Sequence, residues 1–464
     1  MPKRINRRGF LGRTAAAVAV PCVVPSAALG LAGTVAPSNR IAMGFIGLGG
    51  RGSGGLRTFM AQPDVQVVAV CDTSTENSWR SVYAIGGLDP CRRLAGLSET
   101  NAYRDFRELL ARDDIDAVQI ATGERWHPVI SAAAARAGKD VYCEKPLARS
   151  IEDGRRLRDL CHRYGTVFQF GTQQRSSRTF RFACELVRNG RIGRLHTIKV
   201  GVYGSHTDFS PPGMTAEHYR IGTVPKELDY EMWTGPAPMR PFISGVVQHN
   251  WNFVSDYGWG FIHNWGIHHL DIVQWGNGTD FSGPMEVEGK GVTPRGPSYV
   301  DTMTAWCVEM RYANGVRLIY TDNRDKTAWQ MQANDKQWIY QQVGEHPKNR
   351  QGVLFEGTDG WVFINRDTLD AHPRSLLKEK IGPEEIHLTV SPLHERNFLD
   401  CVKNRSSTIS NIDVAVRSDA LCHLSLIAVA LGRKLKWDPD NEQFVDDDQA
   451  NRMLARAHRQ PWCL

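Results

Sequence analysis

Two charged side chains, Glu144 and Lys145, close the apolar run that begins Asp140-Val-Tyr-Cys, and Pro146 stops that run from continuing as a strand. A lysine at the carboxyl tip of a buried strand is either an ion-pair partner for its neighbour or a cation touching a reacting atom. Ligands of open α/β sheets bind beyond that edge. A second titratable group lies at His263, His268, His269 and Asp271, with Asn264 among them. On a helix beginning near Asn264, His268 is one turn away on the same face, while His269 points elsewhere. An ammonium and an imidazole that face one crevice could together serve a proton transfer at a reacting atom. An unperturbed imidazole titrates at about 6.5, close to working pH. A zinc ion would use His263, His268 and Asp271, but their spacing supplies too few ligands and no metal is assigned.

The elements that must carry these residues read as an α/β protein. Residues 41–46 form a buried strand followed by Gly47, Gly49 and Gly52 in Gly-x-Gly-x-x-Gly spacing. The first glycine permits the turn, the second lets backbone amides approach a pyrophosphate, and the third lets the helix sit close to the strand. A second apolar run, 65–70, ends in Cys71-Asp72, which places a carboxylate where it accepts bonds from ribose hydroxyls. Its charge repels a 2′-phosphate, so NAD is favoured over NADP, although Thr73 and Ser74 soften that discrimination. A helix over 103–112, a strand over 116–121, a helix over 128–137, a helix to Tyr164 and a strand over 166–170 continue the alternation of a doubly wound parallel sheet. Ser150 and Asp153 resemble a capping box. Gly50 and Arg51 in the turn, Thr122 and His127 beyond the third long strand, and Glu144 with Lys145 complete the candidate cofactor contacts.

From residue 173 the texture changes to strands (195–203, 302–312, 316–322, 353–356, 361–364) joined by turns such as Ala313-Asn-Gly315, with helices over 394–434 and a polar tail. The expected organisation is a Rossmann domain at 39–172 and an α+β domain at 173–464 with a large, open-faced, mostly antiparallel sheet. Before them, residues 1–36 carry Asn6-Arg7-Arg8-Gly9-Phe10-Leu11 and an Ala/Val-rich stretch too short for a membrane span. That order resembles a twin-arginine signal and implies export of a folded protein to the periplasm or beyond. The net charge of +6 over 464 residues, with no basic run past the leader, gives no nucleic-acid face. Ten scattered cysteines lack any Cys-x-x-Cys pair and indicate neither a disulfide framework nor a zinc site. Thirteen Trp and twelve Tyr fit a sugar lying on aromatic faces, with Tyr203, Tyr219, Trp251 and Trp259 as pocket candidates.

Taken together, the glycine turn, Asp72, 121–127, the Glu144-Lys145-Pro146 run and the Trp265-Gly-x-His268 helix resemble the glucose–fructose oxidoreductase/inositol dehydrogenase (Gfo/Idh/MocA) family. Residues 224–238 and 431–439 are similar to its exported bacterial branch. The resemblance implies a sugar or cyclitol held over the nicotinamide of a tightly bound NAD, homo-oligomer contacts (dimer or tetramer), and a motif lysine, here Lys145, on the reacting hydroxyl. It further implies a helix Asp as relay and a His four residues later as base. The His is His268, but the Asp position is Asn264, and an amide cannot take a proton. The relay then shortens to His268 alone, or His263 substitutes. Three activities compete: hydride transfer at a sugar, glycoside or cyclitol hydroxyl carbon; NAD-dependent glycoside hydrolysis through transient oxidation and elimination; and a non-catalytic sugar sensor.

Overall fold

Every residue of the strand Ile41–Ile46 except Ala42 is buried, as in strands covered by helices on both sides. The computed structural model of the protein describes residues 35–76, 86–202, 216–248, 250–294, 301–322 and 351–464. Most of the leader and Tyr203 lie outside the described residues. The described part of residues 1–40 holds one 3-10 turn, Pro37–Asn39.

Six parallel strands, β1 (Ile41–Ile46), β2 (Val65–Cys71), β3 (Ala102–Tyr103), β4 (Ala117–Ile120), β5 (Asp140–Cys143) and β6 (Phe168–Phe170), lie in the order β3-β2-β1-β4-β5-β6. The order reverses between β1 and β4, so their carboxyl ends open a crevice there. Helices α1 (Gly50–Met60), α2 (Leu88–Leu94), α3 (Phe106–Leu110), α4 (His127–Arg136) and α5 (Ile151–Tyr164) alternate with the strands. The helix expected over 103–112 is shorter. Tyr103 pairs in β3, and Asp105 caps α3 by accepting the Arg107 N–H. Ser150 caps α5 through Asp153 N–H, and Gly165 ends that helix in the left-handed region.

The second half begins with α6 (Arg178–Arg188), β7 (Leu195–Gly201), α7 (Tyr230–Thr234), α8 (Ser244–Gln248), α9 (Phe261–Asn264) and α10 (Gly266–Asn277). It continues with β8 (Pro284–Val292), β9 (Ala305–Tyr312), β10 (Arg317–Thr321), β11 (Gly352–Gly357), β12 (Trp361–Ile364) and β13 (Leu369–His372). The last elements are α11 (His394–Asn404), α12 (Ile412–Leu431), β14 (Leu435–Asp438), β15 (Gln443–Phe444) and α13 (Asp448–Arg452). Nine strands form one sheet in the order β13-β12-β11-β7-β10-β9-β8-β14-β15. Among the described residues only the β7–β10 pairing is parallel, so the sheet is mixed and mostly antiparallel.

Helices α10 and α12 pack on each other and against this sheet. Two glycines set how closely α10 approaches: a Cβ on Gly266 would stand 2.0 Å from Tyr320 Oη, and one on Gly276 2.5 Å from a Phe355 ring carbon. Helix α12 is long and apolar enough to cross a membrane, yet 72% of its most apolar window is buried inside the protein. It is the core helix joining the two sheets, with neighbours in α5, α10, β6 and β8.

Candidate active site

The crevice at the β1/β4 switch is a cleft of about 690 Å³ lined by Gly47, Gly49, Gly50 and Arg51 of the turn, by Asp72, and by Thr122 beyond β4. Gly47 has φ +84°, and a Cβ on it would stand 2.6 Å from the Ala121 carbonyl oxygen. A Cβ on Gly52 would stand 1.8 Å from the Gly47 carbonyl oxygen, so helix α1 can start this close to β1 only with glycine there. Asp72 fastens the turn: Oδ2 accepts the Leu48 N–H at 2.6 Å and Oδ1 the Ser74 N–H at 2.8 Å. The carboxylate thus stands at the tip of β2 on the cleft wall, where the fingerprint places the ribose-binding acid. A backbone cradle open at the N-terminus of an 11-residue helix, with a carboxylate beside it, fits a dinucleotide.

Strand β5 delivers Glu144 and Lys145 to the same edge. Glu144 is buried; its Oε1 accepts from Arg51 Nε at 2.6 Å, and its Oε2 has no hydrogen-bond partner. Arg51 thereby bridges the glycine turn to β5, with Glu395 a further 3.9 Å from its guanidinium. Half-buried Lys145 donates to the Asn264 carbonyl oxygen at 3.0 Å and lies 3.3 Å from Asn264 Oδ1, and Asn264 itself lines the cleft. Burial lowers the Lys145 pKa to about 8, with Arg51 and Arg366 pushing the same way against Glu144 and Glu124. A carboxylate at position 264 would oppose that shift; the amide does not.

The histidines separate. His268 is buried on α10, its Nδ1 lacks a partner, and burial with the charges of Lys145 and Arg366 holds it neutral, its pKa well below the usual imidazole value. The Lys145 ammonium and the His268 ring therefore share one electrostatic neighbourhood. His269 turns away to Gln351, and burial lowers its pKa to about 4. His263 is directed away from the cleft into a buried carboxylate cluster. Its Nε2 lies 2.7 Å from Asp419 Oδ1 and its Nδ1 3.4 Å from Glu124 Oε1. Burial alone would lower its pKa, but those carboxylates raise it to about 9. His127 is also taken up by protein groups, with Nδ1 2.6 Å from the Pro146 carbonyl oxygen and Nε2 3.1 Å from that of Thr122. Burial lowers its pKa, and the ring lies between the β4 loop and the Pro146 turn, a neutral imidazole donating to one of the two carbonyls, instead of facing the cleft. Asp271 is committed to Arg175 at 2.7 Å and to the Ser418 hydroxyl, which separates it from His263 and His268. The cluster with metal-ligand spacing is instead His263, Asp419 and His423, whose ligand atoms lie within 4.8 Å of one another. Its groups already bond each other, Asp419 Oδ2 lying 3.2 Å from His423 Nε2.

Residues 41–172 match the model of the "Oxidoreductase family, NAD-binding Rossmann fold", and residues 180–350 and 344–464 match that of the "Oxidoreductase family, C-terminal alpha/beta domain". The chain belongs to the Gfo/Idh/MocA family of oxidoreductases. It is 31% identical over 209 residues to a glycosyl hydrolase family 109 protein of Shewanella pealeana, a match covering 41% of this chain and 44% of that protein. It is 35% identical over 116 residues to one of Saccharopolyspora erythraea, covering 24% of each. The chain thus spans less than half the length of these curated relatives. Similar solved structures include the WlbA dehydrogenase of Bordetella pertussis in complex with NADH and UDP-GlcNAcA (TM-score 0.59, 17% identity, 86% of this chain and 99% of that one). Another is the aldose-aldose oxidoreductase of Caulobacter crescentus complexed with glycerol (TM-score 0.58, 17% identity, 86% and 99%). At such identity they show the fold, a Gfo/Idh/MocA architecture with an NAD-binding first domain.

Three features of this Gfo/Idh/MocA site have no strong signature in the sequence. Arg125 is buried; it donates to the Trp233 carbonyl at 2.6 Å and the Thr234 carbonyl at 3.2 Å, with the Trp233 ring 4.2 Å away. Trp126 Nε1 donates to the Met232 carbonyl at 2.9 Å. The β4 loop is thereby locked to α7, more than 100 residues on. Trp462 of the tail closes this wall from outside, 4.8 Å from the Trp126 ring. Glu124 is fully buried with neither carboxylate oxygen hydrogen-bonded, and its charge acts on Lys145, Arg125, Arg149 and His263 together. Among the aromatic candidates, Trp251 lines the cleft, whereas Tyr219 accepts from Asn250 and Trp259 donates to the Arg149 carbonyl oxygen.

Proposed function

We propose that the protein acts on a hydroxyl-bearing carbon of a sugar, glycoside or cyclitol in the cleft beside Asn264, with Lys145 as both the hydroxyl ligand and the proton acceptor. NAD, when bound along the glycine turn, supplies a two-electron acceptor for that carbon. The carrying observation is the Lys145 Nζ, half-buried and held by two oxygens of Asn264, with its pKa lowered to about 8. A group poised near working pH is the better proton acceptor. His268, held neutral by burial and nearby cations, is a weaker base. Asn264 orients the lysine and leaves its charge uncompensated. Arg51 and Glu144 fix the turn against the lysine strand, so both move as one piece.

Lys145→Ala is expected to leave NAD bound while abolishing the change in nicotinamide absorbance that a panel of monosaccharides, cyclitols and glycosides produces in the wild type. An unchanged response removes Lys145 from the chemistry. A second reading rests on the family 109 glycosyl hydrolase relatives: the same site cleaves a glycoside with no net redox change, the sugar being oxidised only transiently and the aglycone leaving by elimination. Release of nitrophenol from a nitrophenyl glycoside without added NAD selects that reading, and its absence across the panel selects net oxidation.

Export through the twin-arginine pathway belongs to the same proposal, supported by Asn6-Arg7-Arg8-Gly9-Phe10-Leu11, since an exported enzyme must carry its NAD out already bound. Replacing Arg7-Arg8 by Lys-Lys is expected to hold the protein in the cytoplasm, read by fractionation. Assembly into a dimer or tetramer through the second sheet is read by sedimentation.

A further inference from the structure

A second cavity, of about 1200 Å³, shares no lining residue with the cofactor cleft. Arg149, Arg456 and Thr302 line it, together with the apolar side chains of Met303, Leu426 and Val429. We propose that this cavity binds a small organic acid whose carboxylate or phosphate oxyanion sits between Arg149 and Arg456.

Arg149 carries the inference. It is only 6% exposed, yet it forms no ion pair among the described residues. One of its terminal nitrogens donates to the Ser255 carbonyl oxygen at 2.9 Å, but its Nε is buried with no partner. A buried guanidinium without a counter-ion is costly, because desolvation is not repaid by an adjacent negative charge. The negative groups that act on it, Glu124 and Asp256, do so across space. Asp256 is already paired with Arg240 and lies 3.9 Å from Arg456, and Glu124 is shared with Lys145, Arg125 and His263.

A second cation stands beside Arg149. Arg456 lies 4.6 Å from the centre of the Trp259 ring, and it donates to the same Ser255 carbonyl oxygen at 3.4 Å, which brings the two cations close to one point. Burial and the neighbouring Arg456 together lower the Arg149 pKa to about 9. The one carboxylate on the lining, Asp301, is engaged by the Ser255 backbone N–H at 2.5 Å and the Ser255 hydroxyl at 2.9 Å. Also on the lining, the Thr302 hydroxyl is buried and lacks a partner among the described residues. Planar guanidinium donors with a spare hydroxyl match the oxygens of a carboxylate or phosphate. The apolar wall and a volume beyond that of a lone ion match a carbon skeleton attached to it.

The test uses the full chain saturated with NAD, so that the glycine turn is not available to phosphate. Inorganic phosphate and D-glucuronate are titrated by calorimetry and by thermal melting against wild type, Arg149→Met and Arg456→Gln. At least one anion is expected to bind and raise the melting temperature, with affinity reduced at least tenfold in each variant. Binding of phosphate alone assigns a phosphate-type headgroup, and binding of glucuronate alone a carboxylate. Without anion, Arg149→Met is expected to melt no lower than wild type, since it removes an uncompensated buried charge. Failure of both anions to bind wild type at millimolar concentration overturns the proposal. So does equal binding by Arg456→Gln, which stays informative if Arg149→Met folds poorly.

Discussion

Asn264→Asp places a carboxylate oxygen where the amide oxygen now stands, 3.3 Å from Lys145 Nζ. At an effective dielectric of about 20, two unit charges at that separation attract by about 5 kcal/mol, an upper bound because the new carboxylate must itself be desolvated. Opposite charges this close shift a pKa by about 1–3 units, so Lys145 is expected to titrate between about 9 and 11 in place of about 8. Competitive labelling with acetic anhydride across pH, read by mass spectrometry of the peptide containing Lys145, measures that midpoint without any substrate. At pH 7 the neutral fraction of the lysine falls from about a tenth to about a hundredth or less, and a step requiring neutral Lys145 slows in proportion. A midpoint that stays near 8 in the variant would falsify the claim that position 264 tunes the lysine. A wild-type midpoint above 10 would remove the electrostatic basis for Lys145 as base.

Other perturbations test the frame around the lysine. Gly52→Ala puts a methyl group 1.8 Å from the Gly47 carbonyl oxygen, so the turn must shift and NAD affinity, followed by quenching of protein fluorescence, is expected to drop at least tenfold. Gly54→Ala, with open space around its Cβ, is the matched control; it should leave affinity unchanged and add about 1 kcal/mol of helix stability. His263 has its folded-state pKa raised from 6.5 to about 9, a contribution fully present below pH 6.5 and lost as pH climbs through 9. Denaturant titrations should therefore show His263→Asn less stable than wild type by up to about 3 kcal/mol at pH 6, the gap narrowing toward pH 9.5. A gap that is constant with pH, or widens, contradicts the assignment of charge to that imidazole.

Much of this was legible in the order of residues, and the limits have physical causes. The strand–turn–helix over 41–60, the Asp72 carboxylate and the strand tip at Glu144 are local patterns whose side chains alternate or repeat with fixed periods. The contact of Lys145 with Asn264 had no sequence signal, because no periodicity links residues 119 apart. His263 and His127 show where side-chain type misleads. An imidazole suits proton transfer and carboxylate pairing equally, and burial beside Asp419 or between two carbonyls settles the matter in three dimensions. Glu124 and Arg125 lie in the stretch that carries the resemblance, but nothing there marks them as buried, since a buried charge reads in sequence like any surface residue of a loop. The overlong helix at 103–112 came from overlooking Asp105 as a cap.

Asp419 accepts the Leu147 backbone N–H at 3.1 Å on the same oxygen that holds His263, and it comes from a helix 272 residues downstream. The dinucleotide-binding half is therefore not a portable cassette. A chimera that grafts residues 41–172 onto a foreign partner leaves the loop after Lys145 without its tether unless α12 travels too. Shuffling experiments aimed at new substrates should keep the first domain and that helix as a single inherited block, and vary the second sheet around them.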